Sequence, residues 1–205
     1  MAPPRLCLDA GAVLCGGRSL RMGRDKAGLR LGGETLLERA AGLLDGVAPR
    51  VFLACGESER YRELGRELVL DNHPEGGPLA GLEAALTRLA AAGGGWLGVV
   101  AVDMPRASAE VLARCAAAGR AGELDVVLFA DGERLEPLLG VYHTRALPAI
   151  RRALAAGERR VISFHADVRV GRVDASELTP EARASAPARN LNTPADFERE
   201  RGGVA

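Results

Sequence analysis

Several features are scarce in this 205-residue sequence, and each shortage narrows the classes of protein that it can encode. No apolar run approaches the roughly 18 residues of a membrane-spanning helix, so we expect no membrane span. Positive and negative side chains balance at 27 each, which removes the broad basic surface of proteins that bind nucleic acids or membranes. The N-terminal segment contains no extended apolar stretch of a secretory signal, and we therefore expect a soluble protein of the cytoplasm.

The residues of zinc, redox and hydrolase sites are not found at the spacing that those sites need. The four cysteines, Cys7, Cys15, Cys55 and Cys115, include no Cys-x-x-Cys pair, which argues against a zinc or thioredoxin-like motif. The three histidines share no metal-ligand spacing, and no serine stands in a Gly-x-Ser-x-Gly setting. We therefore expect reduced, packed cysteines and neither a zinc enzyme nor a hydrolase with a catalytic triad.

Lysine and the side-chain amides are the most informative shortages. Lys26 is the only lysine among the 27 cationic side chains, glutamine is absent, and asparagine occurs only at positions 72, 190 and 192. A sequence that uses arginine at every other cationic position indicates that the planar guanidinium does not fit at position 26. A compact ammonium is a common ligand of phosphate groups. The lone lysine therefore points to a phosphate site.

Short apolar runs alternate with amphipathic stretches along the whole chain, which predicts a single α/β domain with a mostly parallel sheet. The sequence predicts strands at 11–15, 50–54, 68–70, 95–102, 125–130, 138–142 and 168–173. It predicts helices at 35–45, 78–92, 108–118 and 145–156, a short one from Ser58 and another that begins at Thr193. We expect the run at 95–102 at the sheet centre, the run at 168–173 at an edge, and the strands 125–130 and 138–142 paired as an antiparallel ribbon.

Three predicted strands end in polar or glycine-rich segments, at Cys15, Asp71 and Asp103. Ligands of open α/β sheets bind at the carboxyl ends of the strands, so these positions should lie on one rim. Asp103 could hold a hard cation such as Mg²⁺, which needs few protein ligands because it keeps waters and takes phosphate oxygens. The alternative for both aspartates is that each only caps a helix or ends a strand.

The segment from Leu14 to Lys26, Leu-Cys-Gly-Gly-Arg-Ser-Leu-Arg-Met-Gly-Arg-Asp-Lys, has the composition of a phosphate-binding loop. Gly16 and Gly17 allow close backbone approach, and Arg21 and Lys26 add positive charge. The segment is not a Walker A loop, because its last glycine is followed by Arg-Asp, and it lacks the Gly-x-Gly-x-x-Gly pattern of dinucleotide-binding proteins. A solvated basic loop that uses glycine only to turn is the alternative.

Three further segments carry candidate binding residues, each with a simpler structural explanation. The glycine-rich segment 76–81 could bring a helix close to a base or sugar, or only start that helix. Arg159 and Arg160 could clamp an anion or satisfy the end of a helix. Asn190 and Asn192 place two amides on one face of an extended segment, which the capping of a following helix does not explain.

Taken in order, these segments resemble the motifs of the MobA-type nucleotidyltransferases. The segment 14–26 is similar to their Leu-Ala-Gly-Gly-…-Arg-Met-Gly-…-Asp-Lys signature, which a wider superfamily of nucleotidyltransferases shares. Gly-Pro-Leu-Ala-Gly at 77–81, Asp-Met-Pro at 103–105, Gly-Glu-Arg-Arg-Val at 157–161 and Asn-Leu-Asn-Thr-Pro at 190–194 then follow in the order of the molybdenum cofactor guanylyltransferases. The resemblance covers nearly the whole chain.

The resemblance implies a Rossmann-like three-layer α/β/α nucleotide-diphospho-sugar transferase fold. Residues of about 10–105 would bind the NTP, and residues of about 106–200 would bind the acceptor. The implied reaction transfers GMP from GTP to molybdopterin that carries molybdenum, with Mg²⁺ as cofactor and release of pyrophosphate. Molybdoenzyme maturation partners are implied as well, and neither a nucleic acid nor a membrane is.

The resemblance also assigns site residues. It implies nucleotide contacts by Leu14, Cys15, Gly16, Gly17, Lys26, Asp71, Gly77, Gly81 and Asp103. It implies catalytic roles for Arg21, Lys26 and Asp103, with Asp103 as the Mg²⁺ ligand, and acceptor contacts by Arg159, Arg160, Asn190 and Asn192. Two positions depart from the family pattern, since Cys15 replaces an alanine and Ala54 stands where a nucleoside-contacting asparagine is expected.

A phosphate oxygen of the acceptor would attack the α-phosphorus in line. That oxygen is ionised near neutral pH and needs no general base, which agrees with the lack of a histidine candidate. Three alternatives stay open at this point: a cytidylyltransferase acting on the same pterin, a sugar-phosphate nucleotidyltransferase, and a non-catalytic nucleotide-binding or cofactor-carrying partner.

Overall fold

The computed structural model describes residues 7–16 and 25–202. The strands of these ranges are β1 (Ala10–Leu14), β2 (Arg30–Leu31), β3 (Glu34–Thr35), β4 (Val51–Ala54), β5 (Glu67–Val69), β6 (Trp96–Ala101), β7 (Val126–Asp131), β8 (Arg134–His143) and β9 (Val170–Asp174). The α-helices are α1 (Leu36–Asp45), α2 (Gly77–Ala91), α3 (Ala109–Ala121), α4 (Leu147–Ala155), α5 (Pro180–Ala184) and α6 (Pro194–Gly202). In these two ranges, no helix has the length and apolar character to cross a membrane.

Seven strands form one sheet in the order β5-β4-β1-β6-β8-β7-β9. β1 pairs in parallel with β4 and β6, β4 with β5, and β7 with β9. β8 lies between β6 and β7 and runs antiparallel to both. The mostly parallel sheet, the central place of β6, the edge position of β9 and the antiparallel pairing of β7 with β8 confirm the predictions.

Helices cover both faces of the sheet. Successive residues of each strand point to opposite sides, so each strand contributes side chains to both faces. Val13 and Val100 contribute to a core with residues of α1 and α3. Ala12 and Val99, their neighbours in β1 and β6, contribute to a second core with residues of α2 and α4. The result is the predicted three-layer α/β/α fold.

A third, smaller apolar cluster fixes the C-terminal segment near the carboxyl ends of the strands. Leu191 and Phe197 pack there with Leu31 and Leu36. The backbone N–H of Leu191 also donates to the carbonyl oxygen of Asp103 at 2.8 Å. The segment with the paired asparagines is therefore held beside the end of β6.

Helix α1 begins at the predicted capping box. The backbone N–H of Glu38 donates to Thr35 Oγ1 at 3.1 Å, and the N–H of Thr35 donates to the Glu38 carboxylate at 2.8 Å. Ser108 caps α3 by accepting from the N–H of Val111 at 3.3 Å. Such caps satisfy backbone donors that the first helical turn leaves free, and each stabilises by about 1 kcal/mol.

The helix predicted from Ser58 is wrong. Turns and irregular structure occupy 56–61, and a single 3₁₀ turn follows at Arg62–Leu64. Tyr61 and Gly65, on either side of that turn, have left-handed φ angles of 69° and 63°. A right-handed helix cannot continue through such residues.

Gly119 lets α3 lie against the buried indole of Trp96 in β6. A Cβ at position 119 would come within 2.6 Å of ring atom Cζ2, which real Cβ atoms do not tolerate. We therefore expect Gly119→Ala to lower the free energy of unfolding by about 1–3 kcal/mol, measured by urea denaturation.

Gly42→Ala in α1 is the matched control, because nothing lies within 4 Å of its added Cβ. This change should raise the free energy of unfolding by about 0.5–1 kcal/mol through helix propensity. Equal gains for both variants would contradict the tight contact between α3 and Trp96.

Candidate active site

The carboxyl ends of β1, β4 and β6 are joined by backbone hydrogen bonds. The N–H groups of Cys15 and Gly16 both donate to the carbonyl of Ala54, at 3.1 and 2.8 Å, and the N–H of Val102 donates to Leu14 at 3.2 Å. Because β5 also runs parallel to β4, the residues that follow these four strands share one edge of the sheet. The three predicted polar strand endings therefore lie on one rim.

Lys26 and Asp103 meet on this rim. Lys26 Nζ donates to Asp103 Oδ2 at 3.1 Å, and the side chains are only 18% and 23% exposed. Lys26 opens a 3₁₀ turn that Asp25 caps by accepting from the N–H of Ala27 at 3.2 Å. The ion pair joins the end of the glycine-rich segment to the end of β6. It therefore places an ammonium beside a carboxylate, the charges that a metal-bound phosphate chain requires.

Arg60 connects the segments that follow β1 and β4, and the sequence did not predict this role. Its Nη2 donates to the carbonyl oxygens of Cys15 and Cys55 at 3.3 and 3.4 Å, and its Nη1 lies 3.6 Å from Asp25 Oδ2. Tyr61 donates its hydroxyl to the same Asp25 oxygen at 2.5 Å. Nothing in the sequence distinguishes Arg60 from the other arginines, because its role depends on the loop conformation around it.

Cys15 and Cys55 are adjacent at the ends of β1 and β4. Their Sγ atoms lie 3.9 Å apart, and both thiols are buried and free. The hydrogen bond with Cys55 and burial raise the pKa of Cys15, so its side chain is a neutral packing group. A role for Cys15 in ligand binding therefore has to come from its backbone.

Asp71, Gly81, Leu14 and Ala54 surround one small space at the rim. A Cβ on Gly81 would lie 3.5 Å from Asp71 Oδ1, 3.5 Å from Leu14 Cδ2 and 3.6 Å from the Cβ of Ala54. Three residues that were predicted from the resemblance thus meet there, together with Ala54. The absence of a side chain at position 81 lets the start of α2 lie close to the Asp71 carboxylate.

Asp71 carries an unsatisfied carboxylate oxygen in this space. Its Oδ1 is buried and has no hydrogen-bond partner among the described residues. Burial, with the nearby charges of Glu57 and Glu83, raises the pKa of Asp71 to about 6, while His73 opposes the shift. Buried polar atoms are normally paired, so an unpaired oxygen indicates a place for a ligand N–H or O–H group.

A cavity of about 380 Å³ opens beside Asp103. It brings three of the four predicted acceptor residues together with the predicted metal ligand. The polar lining consists of Asp103, Glu136, Arg160, Asn190 and Asn192, and the apolar lining of Ala101, Met104, Pro137, Leu138, Val161 and Ile162.

Arg159 is the acceptor residue that does not line this cavity. Its carbonyl oxygen would lie 3.5 Å from a Cβ on Gly77, and its Nη2 lies 3.8 Å from Glu75. Gly77 also has a φ of 63°, where a side chain would be strained. The structure therefore places Arg159 against the start of α2. Gly17 and Arg21 lie outside the described residues.

Glu136 is the cavity residue that the sequence reasoning missed. It is 5% exposed. Burial raises the pKa of Glu136, and Asp103 and Asp131 add to the shift that Arg134 and Asn190 oppose. The sequence does contain an indication of this residue, because an acidic side chain interrupts the mostly apolar run 135–139. Charged residues are rarely fully buried unless they are paired.

The site has hard oxygen donors for a magnesium ion. No group of three or more His, Cys, Asp or Glu side chains could hold a metal within the described part of the chain. Magnesium does not require such a group, because water and phosphate complete its shell. Asp103 offers a carboxylate at the cavity, and Oδ1 of the neighbouring Asn190 is buried without a hydrogen-bond partner. These donors fit Mg²⁺.

Known proteins are similar to this chain in sequence and in fold. A sequence model of the MobA-like NTP transferase domain matches residues 11–170. A probable molybdenum cofactor guanylyltransferase of Opitutus terrae is 44% identical, with 94% of each chain covered. A protein of the same name from Pelotomaculum thermopropionicum is 39% identical over 93% of this chain and 91% of its own. The solved molybdopterin-guanine dinucleotide biosynthesis protein A of Archaeoglobus fulgidus has a TM-score of 0.81 at 27% identity, with 94% and 97% covered.

The raised pKa of Asp71 predicts a pH-dependent stability difference. Above pH 6 the carboxylate is ionised in both the folded and the unfolded chain, and its burial destabilises the fold. Asp71→Asn should therefore raise the free energy of unfolding at pH 7.5. The gain should shrink as the pH falls from about 6 and vanish below the unfolded value of about 3.9.

Urea denaturation of both proteins between pH 3.5 and pH 8 measures this difference. A gain that stays constant over the whole range would show that the substitution acts through packing and not through the charge of Asp71.

Proposed function

This chain belongs to the MobA-like NTP transferase family, and from that membership we propose that it transfers GMP from GTP to the phosphate of molybdenum-loaded molybdopterin. The chain is a nucleotidyltransferase, like its molybdenum cofactor guanylyltransferase relatives. The contact of Lys26 with Asp103, at the edge of a cavity that holds Arg160, Asn190 and Asn192, is the observation that carries the proposal. It puts a phosphate-binding cation and a metal-binding carboxylate beside a second substrate site.

The nucleotide would lie along the rim formed by β1, β4 and β5. Backbone groups of Leu14, Cys15 and Gly16 would contact it, and the nucleoside would lie next to Asp71 and Gly81. Asp71 would accept a hydrogen bond there, because its Oδ1 is buried and unpaired. Guanine offers an N–H and an amino group side by side, which suits a carboxylate.

The phosphates would lie at Lys26. The ammonium now neutralises Asp103 at 3.1 Å and would exchange that partner for phosphate oxygens when the nucleotide binds. Asp103 would then be free to hold Mg²⁺. The resemblance to the family assigns the remaining phosphate contacts to Gly17 and Arg21, and we include both in the proposal.

The acceptor would occupy the cavity beside Asp103. Arg160 would attract its anionic groups, and Asn190 and Asn192 would donate and accept hydrogen bonds. Residues of about 10–105 would thus supply the NTP site and residues of about 106–200 most of the acceptor site. Arg159 would reach the acceptor from the start of α2.

The reaction needs positioning and charge neutralisation more than proton transfer. An acceptor phosphate oxygen attacks the α-phosphorus of GTP, a new P–O bond forms, and the bond to the β-phosphate breaks with its electrons on pyrophosphate. Lys26 stabilises the negative charge that grows on the leaving group. When bound, Mg²⁺ supplies further neutralisation of the phosphates. The attacking oxygen is ionised near neutral pH, so no side chain has to remove a proton. The product would pass, in the cytoplasm, to molybdoenzyme maturation partners.

A transfer assay with a panel of nucleotides tests the proposal. Purified protein with GTP, Mg²⁺ and molybdenum-loaded molybdopterin should release pyrophosphate, and CTP should be at least about tenfold less efficient, a difference that one hydrogen bond can produce. Chelation of the metal should abolish the release.

The outcomes separate the alternatives. Equal turnover with CTP would overturn the assignment to guanine. The family pattern has a nucleoside-contacting asparagine at position 54, where this chain has an alanine. Turnover with a sugar phosphate in place of the pterin would overturn the acceptor. Nucleotide binding without any transfer would indicate a non-catalytic carrier.

Lys26→Arg should lower transfer by at least about 100-fold, because a planar guanidinium cannot replace a compact point charge in a preorganised phosphate site. Its free energy of unfolding should stay close to that of the wild type. Arg30→Lys is the reverse exchange at an exposed position whose side chain donates to the carbonyl of Gly33, and it should leave transfer unchanged. Near-normal transfer by Lys26→Arg would refute the special role of the lone lysine.

A further inference from the structure

Three carboxylates are buried among the described residues: Glu83, Glu136 and Glu200, with exposures of 2%, 5% and 2%. A buried carboxylate destabilises the fold unless hydrogen bonds or opposite charges satisfy it. Two of the three accept such hydrogen bonds, although Oε2 of Glu200 is also buried without one and lies 3.9 Å from Arg189 Nη1. Glu83 accepts hydrogen bonds from Asn72, Thr87 and Arg151, and Glu200 accepts one from Arg106 at 2.6 Å.

Glu136 differs from the other two because it lines a cavity. Its Oε1 is buried and has no hydrogen-bond partner in the described part of the chain. Arg134 Nε lies 2.8 Å away, but its N–H is not aligned with the oxygen and the arginine side chain is 69% exposed. An ion pair with a solvated arginine contributes little. The reaction proposed above assigns no role to this carboxylate.

The surroundings of Glu136 indicate what would satisfy it. It lines the cavity that also contains Arg160 and Asn192, and a hydrogen bond from the neighbouring Asn190 amide favours its ionised form and lowers its pKa, against the effect of burial. Apolar side chains form much of the remaining lining. A cavity of about 380 Å³ with apolar walls suits a flat heterocycle with polar groups at its edge.

We propose that Glu136 recognises the pterin ring of the acceptor by accepting the neighbouring N–H groups of its 2-amino-4-oxopyrimidine edge. The inference rests on the proposed function, which makes the acceptor a pterin. This edge presents an amino group and a ring N–H side by side, and a carboxylate can accept both in parallel, as it does from a guanidinium. Glu136 is then a specificity-determining residue at the end of the acceptor remote from the transferred phosphate.

A pair of ligands that differ at this edge tests the proposal. 6-Hydroxymethylpterin monophosphate keeps the amino group, and the corresponding lumazine replaces it with a carbonyl oxygen that would repel a carboxylate. Titration calorimetry with the full chain should show the pterin binding at least about tenfold more tightly, since a buried acceptor would lose its donor in the lumazine complex.

Glu136→Gln should reduce this preference to within about twofold or reverse it. The new amide can donate to the carbonyl oxygen of lumazine and accept from its ring N–H. Glu133→Gln is the matched control, because Glu133 is exposed in the turn between β7 and β8, and it should keep the wild-type preference. GTP binding should be the same in all three proteins.

Equal binding of the two ligands by the wild type, binding of neither, or an unchanged preference in Glu136→Gln would overturn the inference. A raised Mg²⁺ requirement in Glu136→Gln with an unchanged ligand preference would do the same, because Glu136 would then act on the metal. A pterin preference that depends on Glu136, in a protein that transfers no nucleotide, would defeat the proposed function and leave the inference standing. Pyrophosphate release with no role for Glu136 would do the reverse.

Discussion

The parallel pairing of β1 with two neighbours is the constraint on which the site depends. Leu14 lies in register with Ala54 of β4 on one side and with Ala101 of β6 on the other. Three chain segments therefore leave the sheet at the same level, and the N–H groups beyond Leu14 and Ala101 continue the ladder for one or two residues. The strand register alone therefore brings polar residues that are far apart in the sequence to one place. No contact between their side chains is needed for this.

The carboxylates of the site differ in how well they are paired, although the chain as a whole has no net charge. Asp103 is neutralised by Lys26, whereas the buried oxygens of Asp71 and Glu136 have no hydrogen-bond partner among the described residues. Each unsatisfied carboxylate lowers the stability of the empty protein. The α/β core supplies stability elsewhere, so the fold tolerates these unpaired oxygens at the site.

The sequence was sufficient where a local pattern determines structure. The uninterrupted apolar run 95–102 predicted a central strand because only a strand buried on both faces tolerates it, and the Thr35 capping box predicted the start of α1. It failed after Ser58, where the left-handed Tyr61 is held by contacts with Asp25 and Arg60 that no short-range pattern reveals. The predicted loop residues 17–24 lie outside the described chain.

The sequence identified the segments that form the site, but it did not always identify which of their side chains face it. The motif at 157–161 named two adjacent arginines for one substrate, yet the structure separates them. Arg160 lines the cavity beside Asp103, whereas Arg159 lies against Gly77 at the start of α2. The pattern of a short loop does not fix which way each residue points, because tertiary contacts decide its dihedral angles.

The separation of the two arginines also bears on how the reactants are aligned. Gly157, with a φ of 82°, lies just beyond α4, and Val161 is buried in the core below, so the segment between them is anchored at both ends. One anchored segment thus contacts both the beginning of α2 and the cavity beside Asp103. In-line transfer requires the attacking oxygen and the phosphorus to be held at roughly 3–3.5 Å. In the proposed reaction, a segment shared by the nucleotide and acceptor sites would restrict their relative movement, and a transfer without a general base would depend on that restriction.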